Sequence, residues 1–275
     1  MKLSLCQIKP NRDWKISLDI AQKALEQADA QGAELALLPE LFPIPYEFSL
    51  VERCAQPIDG PIGQRLSAWA KEYGLWLVGG SFPLQEEGKR YNACPVYSPD
   101  GKLVALHKKI HLFDVKMDSL SVQEADCFSP GETPTVFDSP WGKIGVAICF
   151  DLRFPNQFLR MAEQGAELMV VPAAFNTVTG PRHFRLLAQA RAVDSQSFVV
   201  VCGPALDETA SYHSYGHSLA VSPMGRVLGE LDSAPGILTL SLDLKQADTV
   251  RKKLPVLVNQ KPGLDRPNFS KQGKS

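Results

Sequence analysis

The sequence predicts an α/β fold: a four-layer αββα sandwich of two mixed sheets related by an internal pseudo-two-fold repeat. Short apolar runs typical of buried strands alternate with amphipathic helical patterns along the chain. Three stretches of the first half resemble three of the second half in the same order, namely Gln31–Pro39 with Gln164–Pro172, Leu77–Gly80 with Val200–Gly203, and Val96–Val104 with Ala220–Leu228. Each half therefore predicts a sheet with helices on one face, and the two sheets bury their other faces against each other.

Strands are predicted where short apolar runs stop at proline, glycine or a charged residue. These runs are Leu3–Gln7, Leu35–Leu38, Leu75–Val78, Lys143–Ile148, Leu168–Val171, Phe198–Val201 and Ile237–Leu242. Two further pairs predict hairpins, Tyr91–Tyr97 with Leu103–Lys108 around the turn Ser98–Gly101, and Leu219–Val221 with Val227–Gly229. We expect the segment from His111 to about Thr133 to be irregular.

Helices are predicted where apolar residues recur every three to four positions. The first helix carries Ile16, Ile20, Ala24 and Ala28 on one stripe, and Gly32 stops it. The predicted helices are Asp13–Gln31, Ile62–Tyr73, Gln157–Gln164, Phe184–Val193 and a short one from about Leu244. No linker-like stretch separates the halves, so we predict a single domain.

Composition excludes several classes of function. The 275 residues include 29 Lys and Arg against 30 Asp and Glu, a net charge of −1 that predicts no nucleic-acid or membrane partner. The N-terminal residues turn polar too early for a signal peptide, and no apolar run reaches membrane-spanning length. Six scattered cysteines are typical of reduced thiols, so we expect a cytoplasmic protein.

Cys149 is the first candidate for catalysis. It ends the predicted strand Lys143–Ile148, and a polar break leads from it into a helix. A thiol at such a corner faces the positive end of a helix dipole, which predicts a stabilised thiolate and a usable nucleophile. The alternative interpretation, favoured for a lone cysteine, is a buried structural thiol.

Three charged residues are further candidates. Glu40 directly follows the buried strand Leu35–Leu38, where burial raises the pKa of a carboxyl group and makes it a competent base. Lys109 follows the strand Leu103–Lys108, where a partly buried ammonium can neutralise an oxyanion. Glu124 could orient Lys109 or share a proton with Glu40. Taken singly, each is also explained as a solvated loop or strand-end residue.

The motif search excludes other chemistries. His107 and His111 lie in an extended pattern, so they do not share a face as helical ligands would. The sequence has no zinc-type ligand spacing, dinucleotide fingerprint, phosphate-binding loop or Gly-x-Ser-x-Gly motif. We interpret His183, His213 and His217 as hydrogen-bonded structural groups, with His183 the weakest case.

Three stretches resemble the Glu, Lys and Cys signatures of the nitrilase superfamily of carbon–nitrogen hydrolases. They are Leu38–Glu40, Lys109–Phe113 and Ile148–Pro155, in the family's order. The resemblance runs to about Val256, and it implies the αββα fold, a carbon–nitrogen hydrolase domain over residues 1–260 and a loosely ordered tail over 261–275. The nearest branch is that of the omega-amidases, which resembles this chain over Ala174–Pro181, Arg191–Asp194, Pro204–Ala205 and Ser211–Ser218, and at Asn92 and Ser129–Gly131.

The resemblance assigns roles to the candidates. Glu40 is the implied base, Cys149 the nucleophile, Lys109 and the backbone N–H of Phe150 the oxyanion donors, and Glu124 the residue that positions Lys109. An omega-amidase also holds a substrate carboxylate, for which Arg153 is the candidate, with an ion pair to a neighbouring acid as the alternative. Residues expected to line the pocket are Tyr46, Phe175 and Thr179. The resemblance implies no metal, no organic cofactor and a homodimer.

The chain departs from the branch at several positions. Arg182 replaces a small or apolar residue, Ser195 replaces Asn, and His107–Lys108 replace a Tyr-Arg pair. Other substrates therefore remain open: deaminated glutathione, an N-carbamoyl amino acid or a nitrile. A binding protein on the same fold is a further alternative.

Overall fold

A computed structural model describes residues 1–117 and 120–260. Within these residues the chain forms fifteen strands and six α-helices. The strands are β1 Lys2–Gln7, β2 Leu35–Leu37, β3 Trp76–Val78, β4 Phe82–Glu86, β5 Lys89–Tyr97, β6 Leu103–Lys108, β7 Asp114–Met117, β8 Leu120–Gln123, β9 Thr135–Ser139, β10 Gly142–Val146, β11 Ala166–Pro172, β12 Phe198–Cys202, β13 Leu219–Val221, β14 Val227–Glu230 and β15 Gly236–Ser241. The helices are α1 Trp14–Ala30, α2 Val51–Cys54, α3 Pro61–Glu72, α4 Pro155–Glu163, α5 Gly180–Ser195 and α6 Lys245–Lys253.

Two sheets repeat one topology. In the first, β1, β2 and β3 are parallel, β15 is antiparallel to β1, and β5 lies antiparallel to β3 with β6 on its other side. In the second, β10, β11 and β12 are parallel, β9 is antiparallel to β10, and β13 lies antiparallel to β12 with β14 beyond it. The predicted internal repeat is therefore confirmed strand by strand, with β4 as an addition to the first sheet.

The alternation of side chains along each strand builds the sandwich. In the first sheet Leu3, Leu5 and Leu37 point into a core that also contains Ile144 and Val170 of the second sheet. The intervening positions point away from the second sheet and pack under helices α1 and α3. Helices α4 and α5 cover the outer face of the second sheet. The four layers are thus helix, sheet, sheet and helix.

The structure corrects several boundaries and one segment. The stretch expected to be irregular holds the hairpin β7–β8 and a 3-10 helix over Glu124–Asp126. Strands β4 and β9 and helix α2 were not predicted. Helices α3 and α4 begin at Pro61 and Pro155, earlier than predicted, because proline is favoured in the first turn of a helix. The predicted tail over 261–275 lies outside the described residues.

Across the part of the chain that the structure describes, no helix combines the length and the apolar character needed to cross a bilayer.

Gly80 packs against the backbone of Pro39, next to Glu40, and its substitution gives the first testable prediction. Its backbone is left-handed (φ +62°), and an added Cβ would lie 2.3 Å from the carbonyl oxygen of Pro39. Gly88 is equally left-handed (φ +75°) but has no atom within 4 Å of such a Cβ. We expect Gly88→Ala to lower the free energy of unfolding by about 1 kcal/mol, because alanine is strained in a left-handed backbone. We expect Gly80→Ala to lower it by about 2 kcal/mol more, because the added Cβ also clashes with Pro39. Urea unfolding measures both, and equal losses would contradict the clash.

Candidate active site

Glu40 is held by three donors from different parts of the chain. It follows β2 by three residues and is buried. Its Oε1 accepts hydrogen bonds from Lys109 Nζ at 2.7 Å and Asn92 Nδ2 at 2.9 Å, and its Oε2 accepts one from the Ala174 N–H at 2.7 Å. Burial raises the pKa of Glu40, although the Lys109 ammonium acts in the opposite direction. A carboxylate with a raised pKa fits the predicted role of base.

Lys109 lies between two carboxylates. It follows β6 directly, is 1% exposed, and places Nζ 2.7 Å from Oε1 of Glu40 and 2.7 Å from Oε2 of Glu124. Burial alone would favour the neutral amine, but Glu124 and Glu40 raise the pKa of Lys109 well above its usual value. Glu124 begins the 3-10 helix after β8, and its Oε2 also accepts the Phe113 N–H at 2.7 Å. The ammonium is therefore a fixed positive charge.

Asn92 joins the two carboxylates from a third side. It lies on β5, is fully buried, and its Nδ2 donates to Oε1 of Glu40 and to Oε1 of Glu124, both at 2.9 Å. Sequence reasoning recorded Asn92 as part of the branch resemblance but gave it no role. A fully apolar neighbourhood around a strand asparagine is the signal that would have identified it, because a buried amide needs partners.

Cys149 is placed differently from the predicted helix N-terminus. It begins a 3-10 helix, Cys149–Arg153, and α4 starts only at Pro155. Its backbone is left-handed, with φ +45°, which is uncommon for a residue with a side chain and typical of a strained functional turn. The thiol hydrogen-bonds the Glu40 carboxylate and lies near the Ala174 N–H.

The expectation of a stabilised thiolate does not hold for the resting site. Burial, and then the negative charge of Glu40, raise the pKa of Cys149 well above its usual value, although Lys109 acts in the opposite direction. The resting site therefore combines a neutral thiol, an ammonium and a carboxylate base. The thiol can give its proton to Glu40 without any intervening group.

Asp151 anchors the turn that carries Cys149, and sequence reasoning did not assign it. It is fully buried, and its Oδ2 accepts the Ile148 N–H at 2.9 Å and lies 3.4 Å from Nε2 of His107. Its Oδ1 accepts the His111 N–H at 3.0 Å and lies 2.7 Å from Nδ1 of the same ring. Burial alone would raise the pKa of Asp151, but these hydrogen bonds outweigh it and hold the pKa far below its usual value. His107 and His111 thus meet at one carboxylate.

A narrow cavity of about 10 Å³ lies beside Cys149. The candidates Phe150, Arg153, Phe175 and Thr179 line it, together with Phe113, Ala174, Asn176 and Tyr212. Tyr46 is not among the lining residues; it is buried behind them, with its ring 4.6 Å from that of Tyr212 and 6.0 Å from Lys109 Nζ. Asn176 and Tyr212 were missed, because nothing local in the sequence shows that they face Cys149.

The guanidinium of Arg153 contacts aromatic rings and a histidine. Its guanidinium lies over the rings of Phe150, at 5.6 Å, and Phe175, at 5.3 Å. Among the described residues it forms no ion pair with a carboxylate, and the polar contact that it makes is with Nδ1 of His183, at 3.3 Å from Nη1. The structural ion pair considered as an alternative is therefore not formed. Arg182, the departure from the branch, is exposed on α5.

No group of three or more His, Cys, Asp or Glu side chains within residues 1–117 and 120–260 is arranged to hold a metal ion.

The environment of Asp151 predicts a specific acid sensitivity. Because its pKa is lower in the folded than in the unfolded chain, Asp151 stabilises the fold above its unfolded pKa of about 4, and this contribution declines as the pH falls below that value. We expect Asp151→Asn to lower the free energy of unfolding at pH 7 by about 3 kcal/mol and to flatten its decline between about pH 5 and pH 3.

Urea unfolding at a series of pH values measures this effect. Asp138→Asn is the matched control, because that side chain is 85% exposed and pairs only with the surface residue Lys143 at 3.0 Å. The same steep acid slope in Asp151→Asn and in the unsubstituted protein would contradict the role given to Asp151.

The comparisons with known proteins agree with this geometry. The profile of the carbon–nitrogen hydrolase family matches residues 2–252. The omega-amidase NIT2 of Mus musculus is 40% identical over 264 residues, 96% of each chain, and that of Xenopus tropicalis is 40% identical over 256 residues, 93% of each chain.

Solved structures extend the likeness to the fold. Saccharomyces cerevisiae Nit3, a member of branch 10 of the nitrilase superfamily, superimposes with a TM-score of 0.85 and 36% identity, covering 93% of this chain and 94% of its own. A mutant amidase from Nesterenkonia sp. AN1, with the acetamide moiety of fluoroacetamide added covalently at its active site cysteine, has a TM-score of 0.80 and 27% identity, covering 95% of this chain and 94% of its own. With its profile match, full-length relatives and shared sandwich, this chain belongs to the carbon–nitrogen hydrolase family of the nitrilase superfamily.

Proposed function

We propose that the protein is an omega-amidase: it hydrolyses the terminal amide of a small substrate that bears a carboxylate, such as 2-oxoglutaramate or 2-oxosuccinamate. The products are the 2-oxo dicarboxylate and ammonia, and the reaction passes through a thioester on Cys149. The observation that carries the proposal is the guanidinium of Arg153, which lines the cavity beside the thiol and forms no ion pair with a carboxylate of residues 1–117 or 120–260.

Acylation begins with the hydrogen bond between Cys149 and Glu40. Glu40 takes the thiol proton as the sulfur attacks the amide carbon, and the carbonyl π electrons move onto oxygen. The Lys109 ammonium and the Phe150 N–H stabilise this oxyanion. Collapse of the tetrahedral intermediate breaks the carbon–nitrogen bond, and the proton held by Glu40 leaves with the nitrogen as ammonia.

Deacylation uses the same base. Glu40, again ionised, accepts a proton from water as the water oxygen attacks the thioester carbon, and the second oxyanion occupies the same place. The carbon–sulfur bond then breaks, the thiol recovers its proton and the carboxylic acid product leaves. Glu124 and Asn92 hold the side chains of Glu40 and Lys109 in position through both steps.

The similarity to known proteins favours the small substrate over deaminated glutathione. The names of the two relatives at 40% identity, both omega-amidases, support the same choice. An N-carbamoyl amino acid also carries a carboxylate and is the second candidate.

The proposal extends to a homodimer in the cytoplasm that acts on a small molecule and binds neither nucleic acid nor membrane. The exposed apolar side chains Leu186 and Val193 on α5 support an interface between copies, and light scattering measures the subunit number.

The catalytic assignment predicts a steep loss of activity on single substitutions. We expect Cys149→Ala to reduce kcat by a factor on the order of 10⁶, and Glu40→Gln or Lys109→Ala by at least about 10² to 10³, while all three remain folded. Ammonia release measures activity and circular dichroism measures folding. Cys127→Ala is the control, because that thiol is half-buried and lies outside the cavity. Retention of more than a few per cent of activity by Cys149→Ala would exclude Cys149 as the nucleophile.

The substrate itself is tested by a panel. Ammonia release is measured with 2-oxoglutaramate, 2-oxosuccinamate, deaminated glutathione, an N-carbamoyl amino acid and a simple nitrile. We expect the highest kcat/KM with the two 2-oxo amides. A higher value with deaminated glutathione or the N-carbamoyl compound would replace the proposed substrate and keep the family chemistry.

Arg153 predicts how the carboxylate is recognised. We expect Arg153→Met to raise KM for 2-oxoglutaramate by about tenfold or more, because a bidentate guanidinium–carboxylate contact is lost, and to change KM for a neutral amide much less. Methionine keeps the apolar contact with Phe150 and Phe175. Equal losses on both substrates would remove Arg153 from carboxylate binding.

A further inference from the structure

The contact between His183 and Arg153 determines which of the two side chains donates the hydrogen bond. Nδ1 of His183 lies 3.3 Å from Nη1 of Arg153. A guanidinium only donates hydrogen bonds, so Nδ1 must accept, and the imidazole must be neutral with its proton on Nε2. The contact joins the first turn of α5 to the turn that follows Cys149.

The charges around His183 are all positive. Arg153 faces it from the Cys149 turn, and Arg182 precedes it on its own helix. Burial, followed by these two guanidinium groups, lowers the pKa of His183 below its ordinary value. Among the described residues His183 forms no ion pair with a carboxylate, and neither does Arg153. Arg153 therefore brings a positive charge without a carboxylate partner among the described residues to the lining of the cavity, and the neutral imidazole of His183 lies against this guanidinium.

We propose that His183 is the second, proton-responsive half of the site that binds the substrate carboxylate: it is neutral and accepts from Arg153 when the site is empty, and it becomes protonated when a carboxylate is bound. This inference deepens the proposed omega-amidase function and rests on it for the identity of the substrate.

The sign of the effect follows from the charges. A carboxylate between Arg153 and His183 neutralises the guanidinium field and favours the imidazolium, so the complex holds more protons than the free protein. Affinity for the carboxylate is therefore highest at low pH and declines as the pH rises through the titration of His183 in the complex. The affinity for a neutral amide does not depend on the protonation of His183 in this way. Arg182 opposes protonation, so its removal extends the effect to higher pH.

The experiment compares two substrates that differ only in this group. Succinamate carries a carboxylate where butyramide carries a methyl group, so the ratio of their KM values cancels the titration of Glu40 and Cys149. In the unsubstituted protein we expect the ratio KM(succinamate)/KM(butyramide) to rise about tenfold between pH 6 and pH 8.5, since one proton is linked to binding. In His183→Gln, which keeps a neutral side chain, we expect a ratio that is independent of pH.

Two further variants control this result. His213→Gln removes an exposed histidine from a neighbouring loop and should keep the tenfold rise. Arg182→Ala should shift the rise to higher pH by about half a unit or more. A pH-independent ratio in the unsubstituted protein, or an unchanged rise in His183→Gln, would overturn the proposal.

A binding measurement separates this inference from the proposed function. Calorimetry of Cys149→Ala protein with 2-oxoglutarate, in buffers of different ionisation enthalpy, should show uptake of up to one proton between pH 6 and pH 8, and no uptake in Cys149→Ala/His183→Gln. Absence of ammonia release from every amide would refute the omega-amidase function, whereas absence of proton uptake, or of any binding, would refute the role of His183.

The unsubstituted side chain can also be observed directly. Should His183→Gln not fold, the imidazole ¹⁵N resonances of the unsubstituted protein should move from neutral to protonated values on saturation with 2-oxoglutarate at pH 7. A ring that remains neutral in the complex overturns the proposal.

Discussion

The buried ammonium of Lys109 is the constraint on which the rest of the site depends. A charge removed from water is costly unless opposite charges and hydrogen bonds surround it, and Lys109 is 1% exposed. Glu40 and Glu124 supply the charges, and Asn92 links the two carboxylates by donating to both. These residues come from β5 and from the segments after β2, β6 and β8, so the cluster needs strands of the first sheet and the hairpin β7–β8 together.

The same cluster influences the protonation state of the Cys149 thiol. One ammonium and two carboxylates leave an excess negative charge beside Cys149, and this charge, with burial, keeps the sulfur protonated. In the proposed mechanism the base therefore generates the nucleophile during attack, without a preformed thiolate. Asp151, held by the histidines on either side of Lys109, fixes the left-handed backbone that aims this sulfur.

Sequence reasoning identified the fold and the residues whose position is a local property. Glu40, Lys109 and Cys149 each end a strand, and strand ends are visible in the pattern of apolar runs. Partners joined by long-range contacts were not visible: Asn92 meets a carboxylate 52 residues away, and Asp151 meets His107 44 residues away. The hairpin β7–β8 was missed because its exposed strands lack a continuous apolar run. His183 was interpreted as structural because its contact with Arg153, 30 residues away, is not visible in the sequence.

The two sheets differ in how far along the chain their edge strands lie from the strands they pair with. The edge strand of the second sheet, β9, directly precedes its partner β10, but the equivalent strand of the first sheet, β15, pairs with β1 from the other end of the chain, Lys2 opposite Ser241. A ribosome synthesises β1 long before β15, so during translation the edge of β1 stays open while the second half is made. The half that carries Glu40 and Lys109 thus gains its last strand only after the second half has been synthesised, and a chain cut short before residue 236 leaves the edge of β1 unpaired.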